Sequence, residues 1–574
     1  MPQAWNFADV WESVAQAAPD VLAQVHGTRR VTWSQFDACA NGLARNLLQS
    51  GLGRQDKVAL YLYNGPEYLQ SAFGCMKAGL VPVNTNYRYQ QDELHYLWDN
   101  ADAVAVIFHA AFTGLVEAVR ARCHKVRVWI HVDDGSAPCP AWAVPYEAVA
   151  GAFHERVVAP WGRSGDDLIL VYTGGTTGRP RGVMWRQHDL YVASNTTGDP
   201  PVADLAHVRG RIEALHGGGT GVSPPVGLPA APLMHGTAYV FASTILNRGG
   251  TVMTLPGRKF DVNELLAAIQ AGHVTDLCIV GDAFCRPMVD ALDAARKPGV
   301  DALDAARKHG VDARDASQGP WDIGSLKAVS SSGMMWSAAT KDRLLRHAPH
   351  ALLIDFLNSS EASGMGRSIA SKERPGASAR FRLGQNAVVI DDEGQPIAPG
   401  SDKVGRIAVR GNIPLGYYGD PVKTMATFPV INVERHAIPG DFARIESDGS
   451  ITLLGRGSIS INTGGEKVFP EEVEECIKLL PEVMDAVVVG VPDARYGETV
   501  AAVVEAVPGR SVVAGTVTAH VRSRLARHKA PRHVMVVESV GRGPNGKADY
   551  AALKARVADW LREAPPAAQH TQGA

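Results

Sequence analysis

The 574-residue chain sets 57 Lys and Arg against 59 Asp and Glu, a net charge of −2, with 45% hydrophobic and 20% charged residues. That is the balance of an ordinary globular protein, too long for one core, so two or three domains are expected. It offers no basic field to attract nucleic acid. Seven cysteines without a CxxC or a regular spacing exclude a disulfide framework and a zinc-site reading, and suit a reducing cytoplasm. The opening Met1-Pro-Gln-Ala-Trp-Asn-Phe7 lacks the basic and apolar regions of a signal peptide. No apolar run approaches the ~20 residues that span a bilayer, so any membrane contact would be peripheral.

Residues 1–165 alternate helix and strand signals: helical patterns at Ala40–Ser50 and Glu67–Ala78, strands at Val58–Tyr63, Val81–Val83 and Val104–Phe108. This predicts a layered α/β domain. The phrase Lys77-Ala-Gly-Leu-Val-Pro-Val-Asn84 reads as apolar packing without chemistry. The β-branched run Leu168–Tyr172 predicts a buried strand, and it enters Thr173-Gly-Gly-Thr-Thr-Gly-Arg-Pro-Arg-Gly-Val183. Glycines turn tightly and expose successive N–H groups. With threonine hydroxyls and the charges of Arg179 and Arg181, that row of donors suits phosphate oxygens. No Gly-Lys-Ser/Thr follows, so this is not the loop of a P-loop NTPase.

Asn195–Gly227 shifts to Gly, Pro, Ser and Thr and reads as a long mobile loop. Next comes Ala231-Pro-Leu-Met-His235-Gly; read alone, a His beside Met and Leu is a structural residue. Residues 289–316 hold a tandem repeat, Val289–Gly299 and Val300–Gly310, with a degraded copy from Val311. Pro298 and the glycines punctuate it, predicting two or three short surface helices from a local duplication, not a solenoid. A neutral insertion is favoured over a partner-binding role. Leu326–Val329 then runs into Ser330-Ser-Ser-Gly333, and Asp355-Phe-Leu-Asn-Ser-Ser-Glu361 follows. Pro439-Gly-Asp-Phe442 and Leu454-Gly-Arg-Gly457 precede Ile461-Asn-Thr-Gly-Gly-Glu-Lys-Val-Phe-Pro-Glu-Glu-Val-Glu474. A helix started by acids at Glu471–Leu480, strands at Ala486–Val491 and Val500–Val507, and a basic helix around His520–Arg527 make a small α+β domain. Arg522, Arg524, Arg527, Lys529 and Arg532 read as a solvated face, ahead of a surface for phosphates. Arg542-Gly-Pro-Asn-Gly-Lys547 lies near the end.

Taken in order, these motifs resemble the adenylate-forming superfamily of acyl-CoA synthetases, luciferases and peptide-synthetase adenylation domains. The likeness covers nearly the whole chain outside the repeat and the C-terminal tail. It implies an α/β fold: a large, multi-subdomain N-terminal adenylation domain over 1–457, carrying the inserted repeat, and a small mobile α+β C-terminal domain over 458–574. The Gly-rich stretch is similar to the family's phosphate loop, with Gly174 where Ser is usual and Arg181 where Lys is usual. The resemblance gives Thr173, Gly174, Gly175, Thr176, Thr177, Gly178 and Arg181 to ATP phosphates, with Thr176 among the catalytic groups. It places His235 at the acyl pocket, also in a catalytic role, and Gly333 beside adenine. Ser360 and Glu361 end an aromatic-Gly-x-Thr-Glu motif, in which Glu361 helps hold Mg²⁺, a hard cation that takes oxygen ligands. The motif's aromatic and Gly positions read Leu357 and Asn358, leaving Phe356 as the substitute aromatic. Asp441 resembles the carboxylate that accepts the ribose hydroxyls, and Arg456 the Arg that faces ribose and phosphate. Ser458 takes the hinge position, where Asp or Lys is usual; a small residue can absorb a backbone rotation. Gly464 and Gly465 resemble the face that meets the CoA thiol arm. Lys547 resembles the lysine whose ammonium offsets charge as a carboxylate attacks the α-phosphorus. Tyr172-Thr-Gly-Gly-Thr-Thr with Met184-Trp-Arg-Gln187, and Gly455-Arg-Gly-Ser with Asn462–Lys467, look like actinobacterial fatty-acyl-CoA and steroid side-chain CoA ligases.

The implied reaction joins a small carboxylic acid to CoA through an acyl-adenylate, using ATP and Mg²⁺, with no nucleic-acid partner; a homo-oligomer is compatible with the sequence but not readable from it. An acceptor phosphopantetheine on a carrier protein is the alternative. A luciferase-like monooxygenase stands further off. A non-catalytic ATP-binding protein is disfavoured by the joint presence of Glu361, Asp441, Arg456 and Lys547. Phe241, Leu246, Ile279, Val280 and Phe284 suit an apolar pocket lining and a core equally well. With no basic partner for a second carboxylate, a medium-to-long aliphatic or sterol-type acid is favoured.

Overall fold

A computed structural model describes residues 5–173, 179–195, 204–217, 223–295, 321–334, 336–374, 376, 378–456, 461–463, 466–493, 496–543 and 548–563, with backbone alone at 456, 462, 466 and 467. They fall into two compact units. The first comprises Met1–Gly174, Arg179–Ser378 and Val409–Ala437; the second includes Ala379–Ala408 and Ile438–Ala574.

In the first unit one sheet runs in the order Gly416–Tyr417, Arg181–Arg186, Leu168–Thr173, Val81–Asn84, Lys57–Tyr61, Ala103–His109, Val128–Val132, Val144–Pro145. Leu168–Thr173 and the strands after it in that order are parallel, whereas Arg181–Arg186 returns antiparallel to Leu168–Thr173. A second sheet carries parallel strands Leu22–His26, Thr251–Thr254, Val226–Pro229, Asp276–Ile279, Ala328–Ser332 and Leu352–Ser359. Parallel sheets need both faces covered. Helix Pro66–Lys77 shows how: all of its residues are buried, and it packs on strands of both sheets. Pro66 opens it, Glu67 lies in its first turn and Lys77 in its last, each where helix geometry and dipole favour it. The layered α/β expectation holds, and the expected elements up to Phe108 appear within a few residues of their places; the helix expected at Ala40–Ser50 is longer, Trp33–Gln49.

Three readings need correction. Asn195–Gly227 is not loop throughout. Leu205–His216 is helical, capped by Asp204, whose side chain accepts from the His207 N–H, and it buries Val208 and Ile212, four apart on one face. The first repeat copy does not begin a separate surface helix: Val289–Ala295 ends the helix Gly281–Ala295, in which Val289 and Leu292 are buried. The repeat from residue 296 lies outside the described residues. The basic helix is Ala514–Arg522, followed by a single 3₁₀ turn at Arg527–Lys529.

The second unit contains a sheet in which Val483–Asp493 pairs antiparallel with Gly497–Ala506, itself parallel to His533–Val537. The run Ala486–Val491 is continuously apolar because both faces are covered. Val488 meets Val473 and Ile477 of helix Pro470–Lys478 on one side. Val487 and Val489 meet Leu553 and Val557 of helix Tyr550–Glu563 on the other. Strand Ser450–Arg456 pairs antiparallel with Asp441–Ile445 in the same unit.

Candidate active site

The strands that flank the Gly-rich stretch are described. Leu168–Thr173 and Arg181–Arg186 form an antiparallel hairpin with Thr173 opposite Arg181. Gly174, Gly175, Thr176, Thr177 and Gly178, which join the strands, lie outside the described residues. Arg181 pairs with Asp420 at 3.2 Å and lies 6.0 Å over the Tyr417 ring, while Arg179 stacks 4.9 Å over Tyr96.

Glu361 occupies the turn between strands Leu352–Ser359 and Ala362–Ala370, and the hairpin and the strand paired with it each hold that turn by one hydrogen bond. The Trp185 indole N–H donates to the Ser360 carbonyl at 2.9 Å. Tyr417, paired with Val183, donates its hydroxyl to Glu361 Oε1 at 2.9 Å. Burial, with the charge of Glu361, raises the Tyr417 pKa, so the phenol stays a donor. A basic partner for Glu361 is absent among the described residues. No cluster of three metal-binding side chains occurs among them either. One half-buried carboxylate steadied by a neutral donor fits a Mg²⁺ that takes its other ligands from phosphates and water. It does not fit a self-sufficient metal centre.

Gly333 comes near the start of the helix that His235 precedes, at a second edge of the same unit. His235 immediately precedes helix Gly236–Asn247. Gly333 follows strand Ala328–Ser332 with φ +88, and a Cβ there would lie 4.0 Å from the Thr237 hydroxyl. Phe356 pairs with Ser332, just before Gly333, whereas Leu357 is buried. Asn84 ties the two edges together. It donates to the Tyr172 carbonyl at 2.9 Å and the Met234 carbonyl at 2.7 Å, and accepts from the Tyr172 N–H at 2.6 Å. Reading its phrase as packing alone misses this clamp. Beside it a small cavity is walled by Leu60, Tyr68, Leu233, Met234, His235 and Tyr239, without Asp, Glu, Lys or Arg. Leu246, Ile279 and Phe284 do not line it and are buried core.

In the second unit Asp441 is buried at the start of its strand, directly opposite Arg456. The Arg456 side chain, Gly464, Gly465 and Lys547 lie outside the described set. Around the basic run, Lys529 pairs with Glu472 at 2.6 Å and Arg532 lies 4.2 Å over Tyr496, while Arg522 and Arg527 are exposed. Sequence reasoning missed Tyr417, Asn84, Trp185 and Asp420. The signals available were the aromatic pair in Gly416-Tyr-Tyr-Gly419 and the Asn that ends an apolar strand.

Residues 11–418 match the family described as AMP-binding enzyme, and residues 472–547 its C-terminal domain. The chain belongs to the AMP-binding enzyme family. This AMP-binding enzyme is 38% identical over 568 residues to a Mycobacterium tuberculosis protein named medium/long-chain-fatty-acid–CoA/3-oxocholest-4-en-26-oate–CoA ligase, covering 97% of this chain and 98% of that one. A Rhodococcus rhodochrous 3-oxocholest-4-en-26-oate–CoA ligase is 37% identical, covering 96% of each. Among solved structures, an anthranilate CoA ligase bound to anthranoyl-AMP superposes with a TM-score of 0.77 at 20% identity, covering 98% of both chains. ATP-bound MatB from Rhodopseudomonas palustris gives 0.75 at 23% identity, covering 97% of this chain and 99% of that one. These structures show that the AMP-binding enzyme shares their fold, a large N-terminal part with a small C-terminal one.

Proposed function

We propose that this enzyme is an AMP-forming acid–thiol ligase that activates a hydrophobic carboxylic acid, a medium- or long-chain fatty acid or a steroid side-chain acid, and passes it to CoA. The observation that carries the substrate class is the apolar wall at Met234, fastened by Asn84 to the base of the Gly-rich hairpin: it presents no Asp, Glu, Lys or Arg, and so no partner for a second carboxylate. The cavity itself is too small to seat an acyl chain. The names of the full-length relatives point the same way.

In the first step a carboxylate oxygen attacks the α-phosphorus of ATP, the bond to the β-phosphate oxygen breaks, and pyrophosphate leaves. The hairpin's backbone donors hold the phosphates, and Tyr417 keeps Glu361 aimed at the place a Mg²⁺ would share with them, where the ion would neutralise phosphate charge. Lys547 offsets the charge that grows between the reactants. Asp441 accepts hydrogen bonds from the ribose hydroxyls, and Arg456 donates to ribose and phosphate. In the second step the CoA thiolate attacks the acyl carbon and AMP departs, with Gly464 and Gly465 facing the thiol arm.

The test is AMP formation from Mg-ATP with acetate, octanoate, palmitate, benzoate and 3-oxocholest-4-en-26-oate, each with and without CoA. CoA-dependent turnover confined to the apolar acids is expected. Acid-dependent pyrophosphate release that ignores CoA would make a carrier-protein thiol the acceptor, and turnover with acetate or benzoate alone would overturn the substrate class.

A further inference from the structure

The second unit carries a charge imbalance for which the adenylation and thiolation steps above have no use. Between Glu505 and Glu538 the sequence holds six Lys and Arg and no Asp or Glu, although the chain as a whole sets 57 cations against 59 anions. Two of the six are engaged: Lys529 pairs with Glu472 at 2.6 Å, and Arg532 lies over Tyr496 with Asp493 3.9 Å away. Arg510, Arg522, Arg524 and Arg527 are exposed and form no ion pair among the described residues. An ordinary solvated surface intersperses both signs; this stretch does not.

Two of these arginines are aimed without being neutralised. Arg524 Nη1 donates to His520 Nδ1 at 3.2 Å, and His520 Nε2 donates to the Cys476 carbonyl at 3.0 Å. Arginine offers donors only, so His520 is neutral with its proton on Nε2; burial and the charge of Arg524 lower its pKa accordingly. Arg510 donates to the Pro481 carbonyl at 3.0 Å. These contacts lay the basic run along helix Pro470–Lys478, from Glu472 in its first turn to Pro481 beyond its end. Leu479, which ends that helix between Cys476 and Pro481, is 65% exposed, and Val513, three residues beyond Arg510, is 61% exposed. Cations near a helix C-terminus complement its dipole, which accounts for Arg510 and Arg524. It does not account for Arg522 and Arg527, nor for two large apolar side chains facing solvent.

Cations without counter-charges beside exposed apolar groups suit an anionic bilayer. Acidic headgroups attract the arginines, and leucine and valine enter the acyl boundary beneath them. A free phosphate or a nucleic acid would use the charges and leave the apolar groups idle. Building on the function proposed above, in which the substrate is a hydrophobic acid that partitions into membranes, we propose that this basic surface along helix Pro470–Lys478, with Leu479 and Val513, docks the enzyme on anionic lipid.

The full-length chain, without substrates, is sedimented with phosphatidylcholine vesicles and with vesicles of equal parts phosphatidylcholine and phosphatidylglycerol. Binding to the mixed vesicles alone is expected, with release at 1 M salt, where the screening length falls to about 3 Å. One basic residue near an anionic surface is worth about fivefold in partitioning, so Arg522→Ala/Arg524→Ala/Arg527→Ala should bind about 10²-fold more weakly. The triple Lys variant at the same positions keeps the charge and should bind within a few-fold of wild type. Leu479→Gln should weaken binding about tenfold. KM for CoA, measured with octanoate and no vesicles, should stay within a few-fold of wild type in the triple Ala variant. Wild-type protein that ignores the mixed vesicles overturns the proposal, as does wild-type affinity in the triple Ala variant or in Leu479→Gln. A rise of tenfold or more in KM for CoA in the triple Ala variant gives this surface to the CoA phosphates and overturns it too. Vesicle binding is read without turnover, so failure of every acid would overturn the proposed function and leave the vesicles to decide the docking surface.

Discussion

Tyr417 steadies Glu361 with one hydroxyl, 2.9 Å from Oε1. A hydrogen bond to a charged group is worth ~1.5–3 kcal/mol, so Tyr417→Phe is expected to slow adenylation about 10–100-fold. Raising Mg²⁺ should recover part of that rate, because the carboxylate remains but is no longer aimed. Pyrophosphate release across a Mg²⁺ titration is the measurement, and an unchanged Mg²⁺ dependence would detach Glu361 from the metal. Asn84 is a second such residue. Asn84→Ala leaves the Tyr172 N–H and two carbonyls without their partner, and ~1–3 kcal/mol of stability should go with it, readable as a lower urea midpoint at unchanged slope. These two residues also show what a sequence hides. Glu361 and His235 stand out in the sequence because the motifs that single them out are local. Tyr417 lies 56 positions from its partner, and Asn84 lies 88 and 150 from its two, so the aromatic pair and the strand-ending Asn do not by themselves say what they hold.

Among the elements, helix Phe7–Ala17 is held by charge as well as by packing. Glu12, buried at 5% exposure, receives two Arg163 nitrogens at 2.7 Å each, Arg156 at 2.8 Å, and the buried Lys77. Burial alone would raise its pKa; the bonds from Arg163 and the charge of Lys77 outweigh that and hold it at about 2, below an ordinary 4.5. The folded value is the depressed one, so this contribution is complete above the unfolded pKa and drains away as pH falls towards 2. Its size is ~3 kcal/mol. Glu12→Gln should cost ~3–5 kcal/mol at pH 7, since it strands buried cations, and the gap from wild type should narrow by pH 3. Chemical denaturation at the two pH values decides it; a gap independent of pH would mean the carboxylate's charge is not what holds the helix. Element reading from sequence failed in a related way. Polar composition hid helix Leu205–His216, in which Val208 and Ile212 are buried. The repeat's period hid that its first copy continues a helix begun at Gly281. Composition and repetition describe a segment by itself, whereas burial against neighbours decides its structure.

At the scale of the whole molecule, alternation of helix and strand was enough to predict a layered α/β domain, because a parallel crossover has few physical solutions. The path between units is another matter. The chain enters the second compact unit at Ala379, leaves it at Val409 and returns at Ile438, an itinerary that no order of motifs encodes. If the second unit runs both half-reactions with different faces, the backbone must turn near Ser458, between strands Ser450–Arg456 and Ile461–Thr463. Two contacts flank that point. Phe442 packs on Phe469 with ring centroids 5.3 Å apart. Gly455, at φ +121, lies so close to Glu471 that a Cβ would meet its carboxylate oxygen at 2.1 Å. A rotation about residue 458 would part both contacts; if the steps are separated by such a turn, the arrangement with both contacts made serves one of them. Ser458→Pro fixes φ near −65° and should confine the chain to one arrangement. The expected result is loss of one half-reaction by about 10²-fold or more, the other staying within a few-fold of wild type. Equal effects on pyrophosphate exchange and on thioester formation from supplied acyl-adenylate would show that no turn at this point separates the steps.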